Sequence, residues 1–247
     1  MISAGCKFLN TLHLLKTDFN AKCIKAEFEA EGATYKEVEV LKNFTDNFGL
    51  DFVLKISGCE AVRDLKDACS LNITKIVAPM IESKYAFQKF VKSTSKTVKN
   101  AELYINIETI NGVEALDDIL RSEEAKSISG VIFGRSDFAR SLNLSDVECM
   151  EISDVVNTVS KKISKSGKKF ILGGGITPQS LDFIKKIPFL TQIETRKVVF
   201  DREQISSDAI QKAVEFEIEW LEYKCSFSQC ADDELRLQIL RSRIENV

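Results

Sequence analysis

The chain has 247 residues, which suits one large α/β domain such as an eight-stranded β/α barrel and leaves no room for a second complete domain beside it. Its 34 Lys and Arg nearly balance 37 Asp and Glu, for a formal net charge of −3. This balance excludes the strongly basic surface that would attract nucleic acid or an anionic membrane, so we expect neither partner.

The seven cysteines are odd in number and scattered, without the paired spacing of a zinc site or the density of a disulfide scaffold. Lys7, His13 and Lys16 interrupt the apolar positions of the first segment, so it lacks the continuous apolar core of a signal peptide. No stretch is long and apolar enough to span a bilayer. These features predict reduced thiols in a cytoplasmic protein.

Short apolar, β-branched runs alternate along the chain with longer amphipathic segments, the pattern of repeated βα units. The predicted strands are, in chain order, 22–28, 51–56, 75–78, 103–108, 130–133, 169–172 and 192–199, and helices such as 35–48 and 112–120 lie between them. This order predicts a TIM-type (β/α)8 barrel. An eighth strand would come from the N-terminal region, around 6–15, or be absent.

The pattern changes after residue 206, where 210–225 and 231–244 are predicted to be two helices. Phe216, Trp220 and Tyr223 fall at helical spacing in the first of them and are predicted to be core or interface residues. We therefore expect a barrel domain over 1–206 and C-terminal helices over 207–247. These helices would pack on the barrel or on a neighbouring subunit.

Two carboxylates are predicted to lie where neighbouring strands end. Glu108 ends the strand in LYINIE, and Asp137 follows the next strand in GVIFGRSD. In a barrel, the C-terminal ends of the strands share one active-site mouth, and two carboxylates suffice for Mg²⁺ or Mn²⁺ if substrate and water supply the remaining ligands. The alternatives are structural: Glu108 caps a helix or faces solvent, and Asp137 caps a turn or pairs with Arg135.

The segments KIVAPMIES, INIETINGVEALDDIL and GVIFGRSDFARSLNL resemble the HpcH/HpaI aldolase and citrate lyase β-subunit family, the metal-dependent pyruvate aldolases, over about 22–201. The resemblance implies a metal-dependent carbon–carbon lyase in which Glu108 and Asp137 hold Mg²⁺ or Mn²⁺. The ion would bind a 2-oxo acid such as pyruvate, whose carboxylate meets backbone N–H groups of Ser136 and Asp137. It also implies a homo-oligomer, a trimer or hexamer that exchanges C-terminal helices.

The sequence departs from the aldolases at two positions. Lys55 stands where they carry an oxyanion-stabilising Arg, and KAEFEAEGAT replaces a segment that carries their His. In that segment Glu29 and Glu31 share one face with Glu27 and Lys25, and repulsion between buried carboxylates would raise one pKa and suit proton transfer. We therefore predict catalytic roles for Lys55, Glu29 and Glu31.

Purely structural roles are the alternatives for these three residues. The glutamates of EFEAEG can lie at a solvated strand end, and Lys55 can simply neutralise their face. A further hypothesis is that Lys55 forms a Schiff base with a substrate carbonyl, as in metal-free aldolases.

A glycine-rich turn, GGGITP, follows the strand at 169–172. Thr177 is predicted to cap the next helix, and Gly174 and Gly175 would leave N–H groups open to an anion. Arg196 is a second candidate for an anionic group, with pairing to Glu194 as its alternative. With Arg135 and Ser136, these residues form the predicted substrate contacts.

Two alternatives to the metal-dependent lyase remain at this stage. The glycine turn and Arg196 could form a phosphate site, for a barrel enzyme acting on a phosphorylated sugar. The absence of the family's Arg and His also allows a catalytically silent barrel that serves as a binding or assembly subunit.

Overall fold

Eight strands close into one barrel in a computed structural model that describes residues 4–228 and 231–245. In chain order they are β1 (Cys23–Glu27), β2 (Asp51–Lys55), β3 (Lys75–Ala78), β4 (Glu102–Ile107), β5 (Ile128–Gly134), β6 (Lys169–Gly173), β7 (Gln192–Glu194) and β8 (Val198–Asp201). Neighbours in sequence are neighbours in the barrel, and β8 closes it against β1. The predicted β/α barrel is confirmed.

The eighth strand does not come from the region predicted for it. Residues 6–15 lie within the first helix, and the expected strand at 192–199 is instead two strands, β7 and β8, that run antiparallel. Thr195 makes the turn between them, since its N–H donates to the Val198 carbonyl at 2.9 Å and its hydroxyl accepts from the Val198 N–H at 3.1 Å. β8 therefore runs antiparallel to both its neighbours, while the other strand pairs are parallel.

Helices surround the strands, and several of them begin at side-chain caps. Their bounds are α1 (Ala4–Thr17), α2 (Tyr35–Asn47), α3 (Val62–Ser70), α4 (Lys84–Thr97), α5 (Ile110–Leu120), α6 (Arg135–Ser141), α7 (Met150–Lys165), α8 (Leu181–Lys186), α9 (Ser207–Lys224) and α10 (Ala231–Glu245). Thr34 and Glu37 form a capping box on α2, and Thr109 accepts from the Gly112 N–H. This second cap starts α5 two residues before the expected 112.

Side chains of alternate strand residues divide the interior in two. Those that point outward, such as Leu54, Ile105 and Phe133, join the large core between barrel and helices. Those that point inward form a separate apolar layer within the barrel, made of Cys23, Val53, Val77, Tyr104, Ile132, Ile171 and Val199. Above this layer, towards the C-terminal strand ends, the inward side chains become polar, so the mouth of the barrel is a charged site.

The C-terminal helices lie against the N-terminal one. The Phe8 ring on α1 contacts Phe216, Trp220 and Tyr223 of α9, with ring centroids 5.2, 5.5 and 5.7 Å away. Helix α10 packs on α9 through Leu237 and Leu240. In this chain α9 thus takes a place in the helical ring beside α1. None of the helices in the described part of the chain meets the length and apolarity needed to cross a membrane.

Candidate active site

Glu108 lies at the centre of the barrel mouth, directly after β4. Its side chain is 2% exposed and accepts from the Met80 N–H at 3.1 Å and the Asn106 amide at 3.0 Å. Burial raises the pKa of Glu108 above its ordinary value, against the attraction of the Lys55 ammonium and these two hydrogen bonds, and the charge of Asp137 raises it further. Glu108 therefore lies at the strand ends, as predicted, and its two hydrogen bonds fix the orientation of its carboxylate.

Asp137 lies in the first turn of α6, beside Glu108. Its side chain is 49% exposed, and Oδ1 accepts from Arg140 Nη1 at 2.8 Å. Because an exposed pair three residues apart on a helix is weak, this contact leaves the carboxylate free to turn. The predicted pair of carboxylates therefore lies at the mouth, with Glu108 buried and Asp137 half exposed at its edge.

Lys55 ends β2 and lies between two carboxylates. Its Nζ is 3.0 Å from Glu29 Oε2 and 3.5 Å from Glu108 Oε1. Burial would lower the pKa of Lys55, but the negative charges of Glu108, Glu27 and Glu29 outweigh it and raise the pKa above its ordinary value. The ion pair predicted for Lys55 is present. Since a Schiff base needs a neutral amine, this environment disfavours that hypothesis.

Each of the three glutamates of EFEAEG is paired with a positively charged side chain, so their negative charges are compensated. Glu27 lies 3.0 Å from Lys25 Nζ and 3.3 Å from Arg196 Nη1, Glu29 pairs with Lys55, and Glu31 pairs with Lys197 at 2.5 Å. The glutamates that were predicted to form one cluster are thus divided among separate ion pairs. The expected solvated strand end is wrong for Glu27, whose side chain is 7% exposed.

The pKa values of two of these glutamates, Glu31 and Glu27, shift in opposite directions. Burial raises the pKa of Glu31, against the Lys197 ammonium, with a smaller rise from the charge of Glu27. For Glu27 burial also acts to raise the pKa, but Lys25, Arg196 and Lys55 prevail and lower it to about 2. A raised pKa was expected from repulsion within the cluster, whereas burial is its main cause at Glu31.

Several mouth residues were given no functional role from sequence. Lys25 is buried and donates to Glu194 Oε1 at 2.5 Å, Asn106 orients Glu108, and Lys197 is 2% exposed. The available signal was polarity at every second position of otherwise apolar strands, which marks side chains that point into the barrel. The inward position of Lys197 was harder to predict, because the turn between β7 and β8 was not recognised.

Two segments predicted separately, the glycine turn and the start of α6, meet beside the mouth. Gly174 has φ of +80°, and a Cβ there would lie 2.5 Å from the Ser136 backbone N and 2.7 Å from that of Arg135. A Cβ on Gly134 would likewise lie 2.6 Å from Glu108 Oε2. A side chain at 174 would collide with the backbone of Ser136 and Arg135, and one at 134 would collide with the Glu108 side chain, so glycine suits both positions.

The rest of the glycine turn takes the predicted form. Gly175 also has a positive φ, +66°, and Thr177 caps the short 3-10 helix Pro178–Ser180. The Thr177 N–H donates to the Ser180 hydroxyl at 3.2 Å.

Arg135 does not contact the mouth in this structure. Its guanidinium is completely buried, donates to the Gly174 carbonyl at 3.0 Å and to Glu148 Oε1 at 3.1 Å, and lies 4.9 Å from the Phe183 ring centre. These contacts connect α6 to the glycine turn. The position corrects both the predicted substrate contact and the alternative pairing with Asp137, since Arg140 holds that carboxylate.

Comparison with known proteins agrees with this geometry. The model of the HpcH/HpaI aldolase/citrate lyase family matches residues 55–172, which include Lys55, Glu108 and Asp137. The family resemblance is confirmed. The chain is therefore similar to this family of aldolases and citrate lyases over residues 55–172. Among curated proteins there is no significant match.

Several solved structures share the fold. An HpcH/HpaI aldolase/citrate lyase family protein from Burkholderia cenocepacia J2315 has a TM-score of 0.64 at 14% identity, over 92% of this chain and 90% of that one. An HpcH/HpaI aldolase from Desulfitobacterium hafniense DCB-2 has 0.62 at 12% identity, over 76% and 82%. Macrophomate synthase has 0.57 at 15% identity, over 76% and 74%. Identities this low support the barrel architecture alone.

Enzymes of this family generally depend on a divalent metal, and the residues at the mouth fit such an ion. No three His, Cys, Asp or Glu side chains converge on one point within residues 4–228 and 231–245, so the two carboxylates are the donors that the mouth offers. Carboxylate oxygens suit Mg²⁺ and Mn²⁺, which keep several water or substrate ligands. Burial and the nearby charge of Asp137 raise the pKa of Glu108, so the ionised pair is unfavourable alone and a bound cation would stabilise it.

Proposed function

We propose that this chain is a metal-dependent carbon–carbon lyase of the aldolase/citrate lyase type that acts on a 2-oxo acid such as pyruvate. The observation that carries the proposal is the buried Glu108 beside Asp137, at the ends of adjacent strands and inside the matched family region. Mg²⁺ or Mn²⁺ is the expected ion, held by these two carboxylates. When bound, such an ion stabilises the enolate left by carbon–carbon cleavage.

The glycine turn supports substrate binding in this proposal. Gly174 carries no side chain over the backbone N–H groups that begin α6, so a substrate carboxylate would meet those of Ser136 and Asp137. Arg196 has a 30% exposed side chain and is proposed to bind a second anionic group of the substrate at the rim, in exchange with Glu27.

Lys55 and Glu29 are proposed to act on the reacting carbonyl. The Lys55 ammonium stays protonated beside Glu108, where it can stabilise developing negative charge on oxygen. Glu29 is in contact with Lys55 and 29% exposed, so it is better placed to move a proton to or from the substrate than Glu31, which is held by Lys197.

A homo-oligomer, trimeric or hexameric, is also proposed. Several large apolar side chains are exposed at the helix starts and loops that follow β2, β3 and β4, namely Val62, Met80, Tyr85 and Ile110. A cluster of exposed apolar groups on one side of a barrel is typical of a subunit contact.

The proposal is tested by assaying oxaloacetate decarboxylation and pyruvate α-proton exchange with and without Mg²⁺ or Mn²⁺. The parent should catalyse both reactions only with metal, and Glu108→Gln should lower the rates by about 100-fold or more because it removes a ligand charge. Glu123→Gln, at an 88% exposed site, is the matched control and should retain full activity. Rates that depend on neither metal nor Glu108 would exclude the proposed function.

A further inference from the structure

The barrel has a cavity at the opposite end from the mouth. It measures about 260 Å³ and opens at the N-terminal ends of the strands. Its walls are the inward apolar layer, including Val53, Val77, Ile132, Ile171 and Val199. Barrel interiors are normally filled by layers of bulky side chains, so a space of this size is a departure from the fold's usual packing.

Glu194 lies at the inner end of the cavity, towards the mouth. Its side chain lines the cavity and accepts a hydrogen bond from Lys25, which belongs to the charged site above. Burial raises the pKa of the Cys23 thiol to about 12, so this lining residue is a neutral, unreactive part of the wall. Cys23 therefore supplies an apolar surface to the cavity and no thiolate nucleophile.

The rim of the cavity carries charges of both signs in alternation. Lys22 lies 2.9 Å from Asp201, and Lys75 lies 3.2 Å from Asp51 and 2.9 Å from Glu102. With Lys169 as the third lysine, three lysines thus face three carboxylates at this end of the barrel. Such a ring favours neither a simple anion nor a simple cation, but it matches a head group that carries both charges.

Lys169 is the rim lysine with the longest contacts. Its Nζ is 3.5 Å from Glu102 and 3.4 Å from the Tyr104 hydroxyl, and its side chain is 46% exposed. Lys169 and Asp201 both line the cavity at this end, where Gln192 Nε2 donates to Asp201 Oδ1 at 2.8 Å. A carboxylate and an ammonium on one small molecule could therefore meet Lys169 and Asp201 together.

We propose that this cavity binds a small zwitterionic α-amino acid with an apolar side chain, with the side chain between the Val and Ile walls and the head group at Lys169 and Asp201. The volume fits about ten non-hydrogen atoms, by comparison with a cavity of about 150 Å³ that holds benzene. Water on apolar walls is weakly held, so its displacement favours binding.

Isothermal titration of the full chain with L-leucine tests the proposal, with 4-methylpentanoate and 3-methylbutylamine as probes that lack one charge each and glycine as a probe that lacks the side chain. Leucine should bind, and each of the other three should bind at least about tenfold more weakly. Val77→Phe should abolish leucine binding by filling the cavity. Lys169→Gln should weaken it about tenfold, while Lys126→Gln, at a 79% exposed lysine, should not change it.

Thermal unfolding of each variant establishes that it is folded. Lys169→Gln is the variant that keeps the test decisive if Val77→Phe does not fold, since this lysine is exposed and loosely paired. The proposal is overturned if leucine does not bind, if it binds equally well to a folded Val77→Phe or to Lys169→Gln, or if 4-methylpentanoate binds as tightly as leucine.

Discussion

At the scale of single residues, the mouth depends on how each buried charge is compensated. The carboxylates of Glu27, Glu29 and Glu31 have separate cations, and Glu108 has hydrogen bonds and the Lys55 ammonium. A buried carboxylate without such partners would take up a proton. The sequence predicted which residues lie at the strand ends, but not how they pair, because pairing depends on which inward side chains face each other across the barrel.

Replacement of Lys55 by Gln should change the pH dependence of metal-dependent activity. The ammonium favours the ionised form of Glu108, so without it the already raised pKa of Glu108 rises further. The acid limb of the kcat/KM profile should move to higher pH, and kcat should fall by about 10²-fold or more. Lys55→Arg keeps the charge and should keep the position of the limb. An unchanged profile in Lys55→Gln would show that Lys55 does not act on Glu108.

At the scale of elements, the site exists because two turns approach each other closely. Helix α6 begins against the glycine turn after β6. The buried Arg135 side chain connects the two, because it donates hydrogen bonds to the Gly174 carbonyl and to Glu148. The glycines were visible in the sequence, but the buried role of Arg135 was not, because a guanidinium next to an aspartate gives no sign of the direction in which it points. The β7–β8 hairpin was missed for a similar reason, since its turn, TRK, contains none of the usual turn residues.

Gly174→Ala should destabilise the fold more than Gly167→Ala does. Both glycines have a positive φ, +80° and +72°, which costs an alanine about 1–2 kcal/mol. A Cβ at 167 meets nothing within 4 Å, whereas at 174 it would lie 2.5 Å from the Ser136 N, so the start of α6 must shift. Urea unfolding should show an additional loss of about 1–3 kcal/mol in Gly174→Ala. Equal losses in the two variants would contradict the close approach.

At the scale of the whole molecule, the barrel combines two ends of different character. The C-terminal end has the charged mouth, and the N-terminal end has the ion-paired rim and its cavity. The strands β1 to β6 and the helices at the C-terminus followed from periodicity, whereas α1 and the β7–β8 hairpin did not. The unfilled interior did not, since packing density depends on how side chains from all eight strands meet.

Stability in acid should depend on Glu27. Its pKa is lowered to about 2 in the folded chain, mainly by Lys25 against burial, so it stabilises the fold above the ordinary carboxyl pKa and loses this effect as the pH falls towards 2. The free energy of unfolding in urea should therefore decline between about pH 4.5 and 2. Glu27→Gln should be less stable at neutral pH, because it leaves Lys25 and Arg196 with less compensation, and should show a smaller decline. An equally steep decline in Glu27→Gln would assign the acid sensitivity to other groups.

Binding of Mn²⁺, followed by the loss of the free-ion signal in electron paramagnetic resonance, tests most directly whether Glu108 and Asp137 hold a metal. The chain should bind Mn²⁺, and Glu108→Gln and Asp137→Asn should each weaken binding by more than about tenfold, while Glu123→Gln should not change it. No binding by the parent chain, or equal binding by all variants, would contradict the metal site.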